Sequence, residues 1–67
     1  MSNVEVNGTP WVGPAGGTVA DLVARWCPSP RGIAVARNGD VVPKTEWDRT
    51  QLVDGDRFEI VTAAAGG

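Results

Sequence analysis

Sixty-seven residues, 42% of them hydrophobic, are enough for one domain around one small apolar core and no more. A single cysteine, Cys27, and no histidine exclude an intrachain disulfide, a Cys/His zinc site and histidine-based catalysis. Eight acids against six bases, a net charge of −2, leave no basic surface for phosphate contacts and argue against nucleic acid.

The opening residues Met1-Ser2-Asn3-Val4-Glu5 lack the basic and apolar regions of a signal peptide. With a lone thiol, that places the chain in the cytosol as an expectation. No apolar run is long enough to span a bilayer, so no membrane partner is expected.

Val4 and Val6 alternate with Asn3, Glu5 and Asn7, the period of a strand with one buried face. Asn7-Gly8 follows, the pair that best tolerates the positive φ angles of a tight hairpin. Pro10-Trp11-Val12 reads as the return strand, with the proline where a missing N–H does least harm. Of the three tryptophans, Trp11 is expected to be the most exposed, on an edge strand, and Gly13 to Gly17 form a loop.

Thr18 opens a helix, with Asp21 in the positive first turn as a near capping box. Val19, Leu22, Val23 and Trp26 fall on one apolar stripe, Arg25 suits the C-terminal end of the dipole, and Pro28 and Pro30 stop the helix. Ile33 and Val35 alternate with Ala34 and Ala36, a strand central in its sheet or covered on both faces. Asn38-Gly39 repeats the hairpin signal, Val41-Val42 returns, and Pro43 ends the pairing.

Thr45 to Asp48 has the composition of a turn or a helical turn, with Trp47 either a plug under the loop or part of a partner surface. Gln51 to Val53 is brief and extended, and Asp54-Gly55-Asp56 is a tight turn. Arg57 to Thr62 is the last strand, with Phe58 and Ile60 on one face and Glu59 and Val61 on the other. Hairpin, helix, hairpin, irregular piece and final strand make an α+β order in which the helix covers one sheet face. First and last strands lying side by side would form a parallel pair, and the helix supplies the crossover it needs. That is the β-grasp arrangement, with residues 1–62 as the domain and 63–67 as a tail.

Within the domain no catalytic constellation stands out. Asp54 and Asp56 flank a turn glycine rather than form a metal pair. Gly13 to Gly17 lacks the Gly-Lys-Ser/Thr of a phosphate loop, and Thr18 reads as a cap rather than an anion site. Cys27 sits at a helix C-terminus, where the dipole disfavours a thiolate, and reads as a core or half-buried thiol. Lys44, the only lysine, reads as a solvated charge.

The tail is different. Ala63-Ala64-Ala65-Gly66-Gly67 ends in two residues without a Cβ, which can be drawn extended through a narrow channel. A free α-carboxyl ordinarily titrates at roughly 3.3–3.7, so that of Gly67 is ionised at neutral pH and is an oxygen nucleophile that an enzyme could adenylate. Fully extended, the five tail residues span at most roughly 17 Å.

The segment Val35-Ala36-Arg37-Asn38-Gly39-Asp40-Val41-Val42-Pro43, then Trp47, then Leu52-Val53-Asp54-Gly55-Asp56-Arg57-Phe58-Glu59-Ile60-Val61 and the closing Gly66-Gly67 resemble the ThiS family of ubiquitin-like sulfur carriers. Val6-Asn7-Gly8 and Thr18-Val19-Ala20-Asp21-Leu22 match its first hairpin and helix start, so the resemblance spans the chain. It implies a β-grasp fold and a protein cosubstrate rather than an enzyme. An E1-like adenylating enzyme would bind the sheet face, thread Ala65 and Gly66, and use Mg-ATP to adenylate Gly67. A persulfide-bearing donor would displace AMP and leave a thiocarboxylate, whose acceptor would be a thiazole synthase of thiamine synthesis. No cofactor or metal bound to the carrier itself is implied.

Two features depart from that pattern or widen it. Ala63-Ala64-Ala65 is blander than the bulkier apolar residue or further glycine of many relatives, which leaves the choice of partner enzyme open. The chain is also similar, less closely, to the small subunits of molybdopterin synthase, and some relatives serve specialised metabolism. A protein modifier conjugated to lysines would share the adenylation step. A reading from another class is a noncovalent binding module, because Asn38-Gly39 and Gly55-Asp56 before a strand also resemble small RNA-binding domains.

Overall fold

The computed structural model describes residues 1–27 and 32–62. Pro28, Pro30 and the tail 63–67 lie outside the described residues.

The first hairpin pairs β1 (Ser2–Val6) with β2 (Thr9–Gly13), Val6 opposite Thr9 across the turn. Asn7 at φ 51° and Gly8 at φ 83° make it the mirror-image turn whose twist suits a hairpin. The helix α1 (Val19–Trp26) follows, and its Val19, Leu22 and Val23 are buried as the stripe requires. Then come β3 (Ile33–Arg37) and β4 (Asp40–Val42), joined by Asn38 at φ 51° and Gly39 at φ 91°. A single 3₁₀ turn spans Lys44–Glu46, and β5 (Arg57–Thr62) closes the fold.

The sheet order is β2-β1-β5-β3-β4, so the last strand lies in the middle. β5 runs parallel to β1, with Val6 opposite Phe58, and antiparallel to β3, with Ile33 opposite Thr62. This is the β-grasp topology, with one helix on one face of a mixed sheet. Val4, Val6, Val35 and Phe58 from the sheet meet Val19, Leu22 and Val23 from the helix, and Trp47 and Leu52 close the side. At about 1.5–3 kcal/mol for each large side chain removed from water, these residues supply the main stabilising term.

The irregular stretch after β4 completes the helix start. Val19 N–H donates to Thr50 O and Ala20 N–H to Trp47 O, both at 2.9 Å. Thr18 N–H donates to the Asp21 carboxylate at 2.9 Å. Peptide groups that would otherwise face water at the helix N-terminus are thus occupied, which leaves no anion cradle at Thr18. Gln51 makes only an isolated bridge to Thr18, so the short extended piece is an anchor for the helix rather than a strand.

Trp11 lies on the edge strand β2, as expected, but is half-buried rather than exposed. It lies opposite Val4 on the covered face and packs against the core. Room for the indole comes from Gly13, where an added Cβ would stand 2.7 Å from Leu52 Cδ1 and 3.4 Å from the Trp11 ring. Trp47 is the buried tryptophan, and its Nε1–H donates to Val42 O at 2.9 Å. It is the plug under the loop. Trp26 is half-buried at the core margin. β3 lies one strand in from the edge, and its Ala34 and Ala36 are half-buried on a sheet face that no described helix covers.

Candidate functional site: the central strand and its open face

β5 carries the approach to the tail, and both of its edges are held. On the β3 side, Asn38 N–H donates to Arg57 O at 2.8 Å while Arg57 N–H donates to Asn38 Oδ1 at 2.9 Å. On the β1 side, Asn7 N–H donates to Phe58 O at 2.9 Å. The Asn7 side chain then takes over: Ile60 N–H donates to its Oδ1 at 2.9 Å, and its Nδ2 donates to Ile60 O at 3.3 Å. Each Asn-Gly turn therefore supplies an amide that stands in for a missing strand residue. The positive φ turns the backbone away from β5, and the side chain completes the ladder.

Asp56 anchors the start of β5. Its carboxylate is 5% exposed and accepts from Arg37 Nε at 3.0 Å, Asn38 Nδ2 at 3.1 Å and Val53 N–H at 3.0 Å. Asp54 Oδ1 accepts Asn3 N–H at 2.6 Å. Both acids of the Asp54-Gly55-Asp56 turn thus serve protein donors. Among the described residues no cluster of Cys, Asp and Glu side chains is placed to hold a metal ion.

Strand alternation divides the open face into two parts. Beside the end of β5, Val61 pairs with Ala34, and Val41 of β4 pairs with Ala36. Val61 is 57% exposed and Val41 71%, with no described layer over them, and the exposed Glu59 borders them opposite Ala36. At the other end Glu5 and Arg57 form an ion pair at 3.5 Å, with Glu59 between them and Val61 along the face. Exposed valines over alanines suit contact with a flat apolar surface of another protein.

Cys27 is half-buried at the helix C-cap, where its N–H donates to Val23 O at 2.7 Å. Lys44 is exposed in the 3₁₀ turn. The sequence-predicted site residues Gly67, Gly66 and Ala65 lie outside the described residues, and β5 is the described part of the chain nearest to them. The clasping role of Asn7 and Asn38 was missed in the sequence, where each registered only as a turn former. Its one available signal was the placing of both Asn-Gly pairs at strand ends that flank β5.

A β-grasp domain whose central strand precedes a Gly-Gly tail in the sequence, with one sheet face uncovered among the described residues, belongs to the ubiquitin-like class. The profile of the ThiS family matches residues 2–67, and the chain belongs to that family. Among solved structures it is similar to the thiamine biosynthesis protein (ThiS) from Geobacter metallireducens, at 30% identity and a TM-score of 0.76, over 90% of this chain and 91% of that one. No match was found among curated proteins. Among the described residues no helix is long and apolar enough to cross a membrane.

Proposed function

We propose that this chain is a sulfur carrier protein, most directly for thiamine thiazole synthesis, with Gly67 as the point of attachment and residues 63–67 as a tail distinct from the folded body. The observation that carries the proposal is the match to the ThiS family over residues 2–67, which includes the closing Gly66-Gly67. The thiamine assignment rests on the name of the Geobacter relative.

The chemistry asks little of the carrier's side chains. A carboxylate is a poor electrophile, so the partner enzyme first joins the Gly67 oxygen to the α-phosphorus of Mg-ATP and pyrophosphate leaves. A persulfide sulfur from the donor enzyme then attacks the acyl carbon and AMP leaves. A thiol next cleaves the acyl persulfide's S–S bond, forming a disulfide and releasing the thiocarboxylate. That group delivers its sulfur to the acceptor synthase, and water-derived oxygen restores Gly67 when the acyl group is hydrolysed. The carrier's part is slenderness at Ala65 and Gly66, a free terminus, and a face for docking. The apolar patch of Val61, Ala34, Ala36 and Val41 is the surface we assign to the adenylating enzyme, because it adjoins the strand that leads to the tail.

The test is the intact mass of the chain after incubation with an E1-like enzyme, Mg-ATP and a persulfide donor. A gain equal to exchange of one oxygen for sulfur, mapped to Gly67, is expected. An unchanged mass with adenylating enzymes that activate other family members would refute the reading.

A further inference from the structure

We propose that Asn7 is a positioning residue for the approach to the tail: its side-chain amide holds the β1-side edge of the central strand at Ile60, two residues before that strand's last pairing with β3 at Thr62. This rests on the carrier reading. β1 ends at Val6, opposite Phe58, so its backbone gives β5 no partner beyond that level. The Asn7 amide extends the pairing by two residues, accepting from Ile60 N–H at 2.9 Å and donating to Ile60 O at 3.3 Å. Without it, Ile60 to Thr62 are held by β3 alone among the described residues.

The consequence is one of population. A partner that grips the end of β5 binds only molecules in which that end is formed. Its apparent affinity falls in proportion to the fraction that has frayed. Asn7 is well suited to the task because its φ of 51° sends the backbone into the turn while leaving the amide alongside β5. The side chain acts through the Ile60 peptide and touches no reacting atom.

Asn7→Gly tests this role. Glycine keeps the left-handed turn without strain, and the residue 7 N–H can still donate to Phe58 O. The side-chain clasp is lost, and the added chain freedom of glycine lowers stability as well, which a core-cavity variant of similar Tm controls for. The expected result is an Ile60 amide that exchanges its hydrogen about tenfold faster or more, since two hydrogen bonds of ordinary strength are removed. The KM for the chain in Mg-ATP-dependent pyrophosphate release by an adenylating enzyme should rise with kcat unchanged, by less than the factor seen in exchange, because only the frayed fraction is lost to binding.

Val23→Ala, a cavity variant in the helix, serves as a control of lowered Tm and should leave KM at the wild-type value. Equal KM for wild type and Asn7→Gly overturns the proposal. So does a KM rise shared by Val23→Ala, which would make Asn7 merely structural. If the wild-type chain is not adenylated at all, the carrier reading fails and takes this one with it. Adenylation of wild type with no Asn7 effect removes this proposal alone.

Discussion

Asp56 illustrates what one side chain contributes that its neighbours in sequence do not reveal. Asp54-Gly55-Asp56 is readable as a turn, but the two acids have separate tasks. Asp54 receives the N–H of Asn3 at the surface, whereas Asp56 is 5% exposed and gathers Arg37, Asn38 and Val53 around one carboxylate. The Arg37 and Asn38 contacts are 19 and 18 residues distant in sequence, so no local pattern announces them. Removing one partner from a mostly buried, charge-assisted network strands the others. Asp56→Ala is expected to cost about 3 kcal/mol, read as a lower midpoint in urea unfolding. A loss below about 1 kcal/mol would mean that water replaces the carboxylate without difficulty.

Elements were legible wherever local chemistry decided them. Both Asn-Gly turns, the helix stripe and the final strand appear where the sequence puts them. Their signals are short-range: positive φ, a 3.6-residue period and a 2-residue period. What escaped was facing and contact between elements. Alternation says that Trp11 and Val12 point opposite ways; the register set by the Asn7-Gly8 turn, Val6 opposite Thr9 and Val4 opposite Trp11, is what turns Trp11 toward the core. The carbonyls of Trp47 and Thr50 that complete the helix start were equally invisible.

Pro10 can be argued at this scale too. In a two-residue hairpin the pair flanking the turn exchanges both hydrogen bonds, here Val6 and Thr9. Pro10, opposite Glu5, therefore aims its nitrogen away from β1 and blunts the outer edge of β2. Pro10→Thr should keep the fold and promote concentration-dependent self-association, measurable by sedimentation. A variant that stays monomeric at every concentration would show that the edge needs no such guard.

For the molecule as a whole, fold class and strand adjacency were accessible because the helix between two hairpins leaves few ways to place the last strand. The candidate site was legible as a terminus and its chemistry. An open sheet face was also expected from the single helix, with Val61 on it opposite Phe58 and Ile60; what the structure adds is Val41 and the alanines of β3 beside it. The carrier proposal separates body from tail, so changes at the tail should act on reactivity alone. One residue added after Gly67 is expected to abolish adenylation while Tm stays at the wild-type value. Sulfur uptake by such an extended chain would show that the terminal carboxylate is not the reacting group.

The strand that reaches the tail follows both hairpins in the chain yet lies at the centre, between β1 and β3. A ribosome that has not yet released residues 57 to 62 holds a chain whose two hairpins have no strand to join them. Long-range pairing of this kind also sets the pace of folding, because the ends must meet before either hairpin is secured. A nascent chain interrupted before Arg57 thus exposes β1 and β3 as unpaired edges, open to degradation. Folding to completion therefore requires that residues 57 to 62 have been made, so a chain cut short of β5 never becomes the folded body that bears the tail.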